Sequence, residues 1–304
     1  MAITNLKRIS LGYVQHLFVE FYDPSRRSYR QTILDLEPPD LVLPKKTPKF
    51  ISIYEFNSTV PRNVVSLRLL DLDCLGLFSP IKDGLEIHCL HLENLLYYMR
   101  FHQALSTPAV QQALHLDNRL VLLSRNDLLQ VWRPQSNYQL TLNQLIKVHA
   151  PNSLTVAKFD HQLFIAVSSE PDPAVESAHH GSIQIWRDQR PSHANGTFTR
   201  YHTILTSVPK QIQFSVLPVV GELMLYTVKD DRFHPVVIYR YEGVSGFAEY
   251  LTSNVLRLAG RDTKMALVKL EGKQRELVAL VTERDVTFIE GVVKGMLIFD
   301  AGQS

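Results

Sequence analysis

An all-β chain of repeated four-stranded modules, a β-propeller of six to seven blades, is predicted by three observations in this sequence. First, an apolar strand ending in Ser or Thr recurs: residues 75–79 (LGLFS), 120–124 (LVLLS), 163–168 (LFIAVS), 223–227 (LMLYT) and 277–282 (LVALVT). Second, a polar loop follows each, and then a strand that often ends in a large aromatic. Those aromatics are Trp132, Trp186 and Tyr241, spaced by 54 and 55 residues. Third, Gly, Pro, Asn and Asp punctuate the chain at short intervals, and no long helical period survives.

Taken in order, the units fall near 36–61, 63–105, 109–148, 151–206, 209–256 and 257–300. Residues 8–34 read as the outer two strands of a further unit. Each complete unit has the length of a propeller blade. A blade buries both faces against its neighbours, so its inner strands should be almost wholly apolar, as 163–167 and 277–281 are. An aromatic at the end of the third strand can fill the widening gap between blades, and burying one such ring stabilises by about 2–3 kcal/mol. A second aromatic follows each of these three, at Tyr138, Phe198 and Phe247. The closing strands 98–105 (YMRFHQAL) and 198–205 (FTRYHTIL) share one pattern. Residues 90–105 also fit a helix, but that shared pattern favours strands.

Composition limits the classes of partner. Hydrophobic residues make up 45% of the 304 and charged residues 20%, which excludes a disordered chain. A formal net charge of +2 gives no basic surface for nucleic acid. No apolar run approaches the roughly 20 residues of a membrane helix, so no membrane insertion is expected. Lys7 and Arg8 precede an apolar stretch, but Gln15, His16 and Glu20 interrupt it. That stretch reads as a strand, and no clear signal peptide is present.

Several residues are candidates for sites. A hairpin around loop 79–84 sets Cys74 opposite Cys89, where a disulfide is open to them if the pair is a close one. The other reading is two small buried thiols, reduced in a cytosolic protein. Asn57 and Asn195 head glycosylation sequons. The insertion 170–181, with Glu170, Asp172, His179 and His180, is the candidate partner loop. Its two adjacent histidines would point to opposite faces of a strand and chelate poorly. Asp73, Asp117 and Asp160 fall at similar points after apolar strands. Tight turns explain them, and a calcium-binding carboxylate ring is the alternative. Nucleophile elbow, phosphate loop and HExxH patterns are missing from the sequence, so no enzyme is expected.

Residues 159–186, with LFIAVSS, a loop and GSIQIW, and then FTRYHTIL, resemble the EAR repeat, also called the epilepsy-associated or EPTP repeat. Residues 235–247 (PVVIYRYEGVSGF) are closer still, with Tyr241 where the family usually has Trp. Residues 51–57 (ISIYEFN) fit loosely, with Phe56 in that place. The resemblance is good over 109–256. It implies a secreted, non-enzymatic propeller that binds proteins such as a cell-surface receptor or matrix component, on which the sequons at Asn57 and Asn195 would be open to glycosylation. Such propellers occur in leucine-rich glioma-inactivated proteins and in thrombospondin-type laminin G domain proteins with EAR repeats. No cofactor is implied. An intracellular, cytoplasmic scaffold propeller stays open as the alternative, and a propeller hydrolase is a more distant one.

Overall fold

The computed structural model describes residues 2–11, 14–36, 50–93, 96–171, 180–189, 196–207, 209–217, 221–229, 236–252, 264–270, 275–281, 286–290 and 297–300. Among the described residues there are twenty-four strands, one short 3-10 turn at Gly243–Ser245, and no other helix. The strands form six antiparallel sheets of four. This is the β-propeller architecture predicted from the sequence.

The chain divides into two compact units, Met1–Ile146 and Lys147–Ser304. The first unit holds three blades. They are β1 (Ala2–Leu11), β2 (Val14–Asp23), β3 (Ser28–Leu36) and β4 (Phe50–Ser58); β5 (Asn63–Leu69), β6 (Leu72–Phe78), β7 (Leu85–Glu93) and β8 (Leu96–Leu105); and β9 (Val110–Leu116), β10 (Arg119–Ser124), β11 (Leu128–Pro134) and β12 (Leu140–Lys147). The second unit also holds three. They are β13 (Pro151–Phe159), β14 (Gln162–Ser169), β15 (Gly181–Asp188) and β16 (Thr199–Thr206); β17 (Pro209–Leu217), β18 (Glu222–Lys229), β19 (Val236–Tyr241) and β20 (Phe247–Thr252); and β21 (Lys264–Leu270), β22 (Arg275–Val281), β23 (Val286–Glu290) and β24 (Leu297–Asp300).

One boundary differs from the sequence expectation. The sequence places segments 8–34 and 36–61 in different blades, yet β1 to β4 form a single sheet. Tyr29 pairs with Tyr22 on β2 and with Ser58 on β4. The prolines at 38, 39, 44 and 48 punctuate the link between β3 and β4, inside the blade. Turn formers mark any chain reversal, so they do not separate an intra-blade loop from a blade boundary. Within 90–105 the described residues, 90–93 and 96–105, belong to strands β7 and β8, as their pattern predicts.

Burial explains why these strands stack. Every residue of β10 is buried, as are all but the first of β14. One apolar cluster joins the first and second blades through Phe18, Ile33, Val64, Leu75 and Leu77. Another joins the second and third through Leu67, Ile87, Val110, Leu120 and Leu122. In the second unit, Phe164, Ile185, Phe214, Leu225 and Tyr239 join the blades of β13–β16 and β17–β20. Each fully buried Leu, Ile or Phe contributes about 1.5–3 kcal/mol, so these seams carry most of the stabilisation. Side chains also tie the first strands of neighbouring blades together. Lys7 Nζ donates to the Val64 carbonyl (2.7 Å), and the Phe214 N–H donates to Thr155 Oγ1 (3.0 Å).

A bulge recurs between third and fourth strands, at Ile33/Leu34, Ile87/His88, Ile185/Trp186 and Ile238/Tyr239. One extra residue on the fourth strand bends the outer edge and increases its twist. This displaces the predicted match between the closing strands by one position. Ile87 pairs with Gln103, whereas Ile185 pairs with His202, so His102 and Tyr201 are the bulged residues.

Candidate functional site

The cysteine geometry follows from the hairpin. The strands β6 and β7 pair about loop 79–84, with Phe78 opposite Leu85 and Cys74 opposite Cys89. Their Cα atoms are 4.0 Å apart, and a disulfide joins them. That spacing belongs to a close, non-hydrogen-bonded pair, where side chains can meet. Both cysteines are fully buried in the seam between the second and third blades. The disulfide reading therefore holds, and the reduced-thiol reading does not.

The repeat aromatics sit on corresponding strands but not all at one level. Trp132 faces Leu120, the second residue of β10. Arg240 faces Met224, which sets Tyr241 level with the second residue of β18. Trp186 faces Ile165, the fourth residue of β14, and so lies one pleat repeat further along. Equal sequence spacing hid this offset because loop length enters the count. Trp132 donates its indole N–H to Gln130 (3.0 Å) and packs on the seam between second and third blades. Tyr241 meets Phe164 and Phe247 at 5.3 and 5.4 Å between ring centres. Arg187 lies over the Tyr201 ring at 3.9 Å, adding a cation–π contact. Phe198 and Phe247 are buried where their closing strands begin. Tyr138 departs from that role: its φ is +66°, and its N–H closes a turn on the Gln135 carbonyl.

His88 was not among the sequence candidates, yet it occupies in the second blade the level that Trp186 holds in the fourth. It faces Leu75, the fourth residue of β6. Its ring stacks with Phe56 and meets the edge of Phe101. Nδ1 lies 3.3 Å from the Tyr54 hydroxyl, and Nε2 lies 3.7 Å from the Glu86 carboxylate. Burial holds the imidazole below its ordinary pKa, and Glu86 opposes that shift less strongly. A depressed folded pKa favours the neutral ring, so His88 supports the fold above its unfolded value. That support is lost as pH falls below about 6.5 toward the folded value. The melting temperature should fall between neutral pH and about pH 5. His16 and His115 are lowered by burial too, so the share owed to His88 is the part of the slope that His88→Phe removes. An unchanged slope in that variant would refute this assignment.

The remaining candidates are placed as follows. Asn57 lies exposed at the end of β4, so its side chain is open to a glycan. Asn195, Asp172 and His179 fall outside the described residues. Glu170 and His180 flank the loop and are exposed. Asp117 (φ +57°) occupies the β9–β10 turn, and Asp160 (φ +47°) with His161 (φ +57°) forms the β13–β14 turn. Asp73 pairs across the strands with Arg68, at 4.0 Å. Asp117 and Asp160 are therefore turn residues, as the tight-turn reading has it, whereas Asp73 lies within β6 and faces Arg68 across the hairpin, so a turn does not account for it. Among the described residues, no group of three or more His, Cys, Asp or Glu is placed to hold a metal ion.

A polar cluster between the first and second blades escaped the sequence reading. Glu20 is 1% exposed, yet its carboxylate accepts from Thr4 (2.9 Å), Gln31 (2.8 Å) and the Arg62 N–H (2.6 Å). Each acceptor bond offsets the cost of burying the charge. Arg62 in turn donates from both terminal nitrogens to Glu86, at 2.6 and 2.9 Å, and Arg62 holds the Glu86 carboxyl below its usual range. This pair borders a cavity of about 230 Å³ lined also by Phe78, Lys82, Asp83 and Leu105. No sequence period links these residues, because strand pairing within the second blade and its stacking on the first bring them together.

No protein-family model matches the chain, and no curated protein matches it in sequence. Solved structures do share its fold. A protein from Lactobacillus plantarum superposes with a TM-score of 0.59 at 10% identity, over 97% of this chain and 82% of that one. SapL1 lectin in complex with alpha methyl fucoside gives 0.52 at 9% identity, over 98% and 95%. Among the described residues, no helix is long and apolar enough to cross a membrane. At these identities the likeness establishes architecture, and the chain is a multi-blade β-propeller.

Proposed function

We propose that this chain is a non-enzymatic, extracellular, protein-binding propeller of the EAR type. The observation that carries the reading is the buried Cys74–Cys89 bridge. Disulfides persist in oxidising compartments, where EAR propellers serve as ligands and adhesion modules. The accessible sequon at Asn57 is consistent with the same route. Protein partners fit the outer surface. Tyr98 and Phe101 on β8, Leu142 and Leu145 on β12, Leu205 on β16 and Tyr250 on β20 are exposed. All lie on the last strand of a four-stranded blade. Large side chains displayed on a stiff sheet give contact area at little entropic cost.

Expression in a secretory host, with and without an added signal peptide, tests the reading. The exported protein should carry the bridge, bear glycan on Asn57 and melt at a higher temperature than the cytosolic form. Cysteines that alkylate without reductant in the exported, folded protein would refute it. Binding to a cell-surface or matrix protein should weaken in Phe101→Ser and Leu145→Ser, while a buried-core control is unaffected in partner choice.

A further inference from the structure

The cavity beside Arg62 points to a ligand as well as a location. It opens at one end of the second blade. Its walls come from the link between β4 and β5, from loop 79–84 and from the end of β8. Arg62 is held from several sides. Its N–H donates to Glu20, its carbonyl accepts from Asn5 (3.3 Å), and its guanidinium forms two bonds with Glu86. Asp83 is fixed as well, accepting from the Ala109 N–H at 2.8 Å. The Arg62 side chain is 15% exposed and that of Glu86 42%, so the carboxylate keeps an open edge. The backbone at Arg62 and the side chain of Asp83 are thus fixed, and the paired Arg62 guanidinium and Glu86 carboxylate set a donor group beside an acceptor group at the cavity edge.

Charge selects the ligand class. Arg62 and Lys82 balance Asp83 and Glu86 around the cavity. An anionic ligand would meet two carboxylates and a cationic ligand two positive groups, each at a cost. A hydroxyl both donates and accepts, so neighbouring hydroxyls match this pair. Phe78 and Leu105 are among the lining residues and add apolar contact suited to the C–H face of a ring. At about 230 Å³ the space lies below the roughly 300–1,000 Å³ of drug-sized sites, which limits it to one ring. We propose that this cavity binds a single neutral saccharide ring, free or at the end of a glycan, through the Arg62–Glu86 pair. The assignment goes beyond the protein-binding reading and does not depend on it.

Ligand-observed saturation-transfer NMR on the full chain tests this with neutral monosaccharides (glucose, galactose, mannose, fucose, N-acetylglucosamine) and with sialic acid as the acidic comparison. At least one neutral sugar should give a signal that competes with its own methyl glycoside. Glu86→Gln should weaken it at least about tenfold, equivalent to about 1.4 kcal/mol. Ala104 is exposed on β8 and borders the cavity, so Ala104→Phe should fill the space and abolish the signal with the melting temperature unchanged. No signal from any neutral sugar would overturn the proposal. So would binding that survives Ala104→Phe, or binding confined to sialic acid. Loss of partner-protein binding with the sugar signal intact would count against the protein-binding reading alone.

Discussion

Gly246→Ala should destabilise the second unit by about 3 kcal/mol or more, more than any ordinary surface substitution. Two independent effects add at this position. Gly246 has φ +90° and ψ −135°, a region essentially restricted to glycine, and forcing another residue there costs about 1–3 kcal/mol. A Cβ at this position would also fall against the His202 ring, 2.7 Å from Cε1 and 2.8 Å from Cγ. The backbone that carries this ring is itself held, because neighbouring Tyr201 is fixed by its hydroxyl bond to the Gly243 carbonyl and by Arg187 over its face. Relieving the overlap adds about 1–3 kcal/mol. Gly221→Ala separates the terms. Gly221 also has positive φ (+63°), but nothing lies within 4 Å of a Cβ there. It should cost only the left-handed backbone, about 1–2 kcal/mol. Denaturant titration of both variants reads the difference. Equal losses would show that His202 yields freely and that the contact stores nothing.

The part of this fold that sequence could show is the part governed by local rules. Alternating and continuous apolar runs located β6, β10, β14, β18 and β22, because burial on both faces permits few polar residues. Asp160 and His161 announced a tight turn through their tolerance of positive φ. Cys74 and Cys89 were brought together by counting outward from one loop, since antiparallel pairing conserves that count until a bulge intervenes.

Where a bulge does intervene, the counting fails. The match between 98–105 and 198–205 found the right strands but the wrong partners by one residue, because the bulged residue differs. Trp186 slipped by two for a related reason, as variable loops separate each aromatic from the hairpin that sets its level. The candidate cavity was invisible for another reason. In sequence Glu20 only interrupts an apolar stretch, and it takes Thr4 and Gln31 on neighbouring strands and the backbone of Arg62, 42 residues away, to show why a buried carboxylate is tolerated there. His88 carries no aromatic-repeat signal because an imidazole stands at the level where the fourth blade has an indole. Its neighbours Tyr54 and Phe56 come from another blade.

Removing the disulfide should have an effect of similar size by a different route. Cys74→Ala with Cys89→Ala opens a closed loop of 15 residues, which the chain-entropy treatment values at about 3 kcal/mol. The double variant also leaves two small voids in the seam between the second and third blades, where Leu67, Ile87 and Leu120 pack. Incomplete collapse around them adds to the loss. The bridge spans the hairpin whose far end presents Glu86 and Gly84 to the cavity, so the consequences should reach the ligand site. A looser β6–β7 pair lets Glu86 drift from Arg62, and saccharide binding should weaken in the reduced protein even below its melting temperature. Reduction of the wild type should reproduce the stability loss of the double variant apart from the void contribution, whereas the variant itself should not respond to reductant. A double variant as stable as the bridged protein would mean that stacking between blades alone fixes this hairpin, and the coupling to the cavity would fail with it.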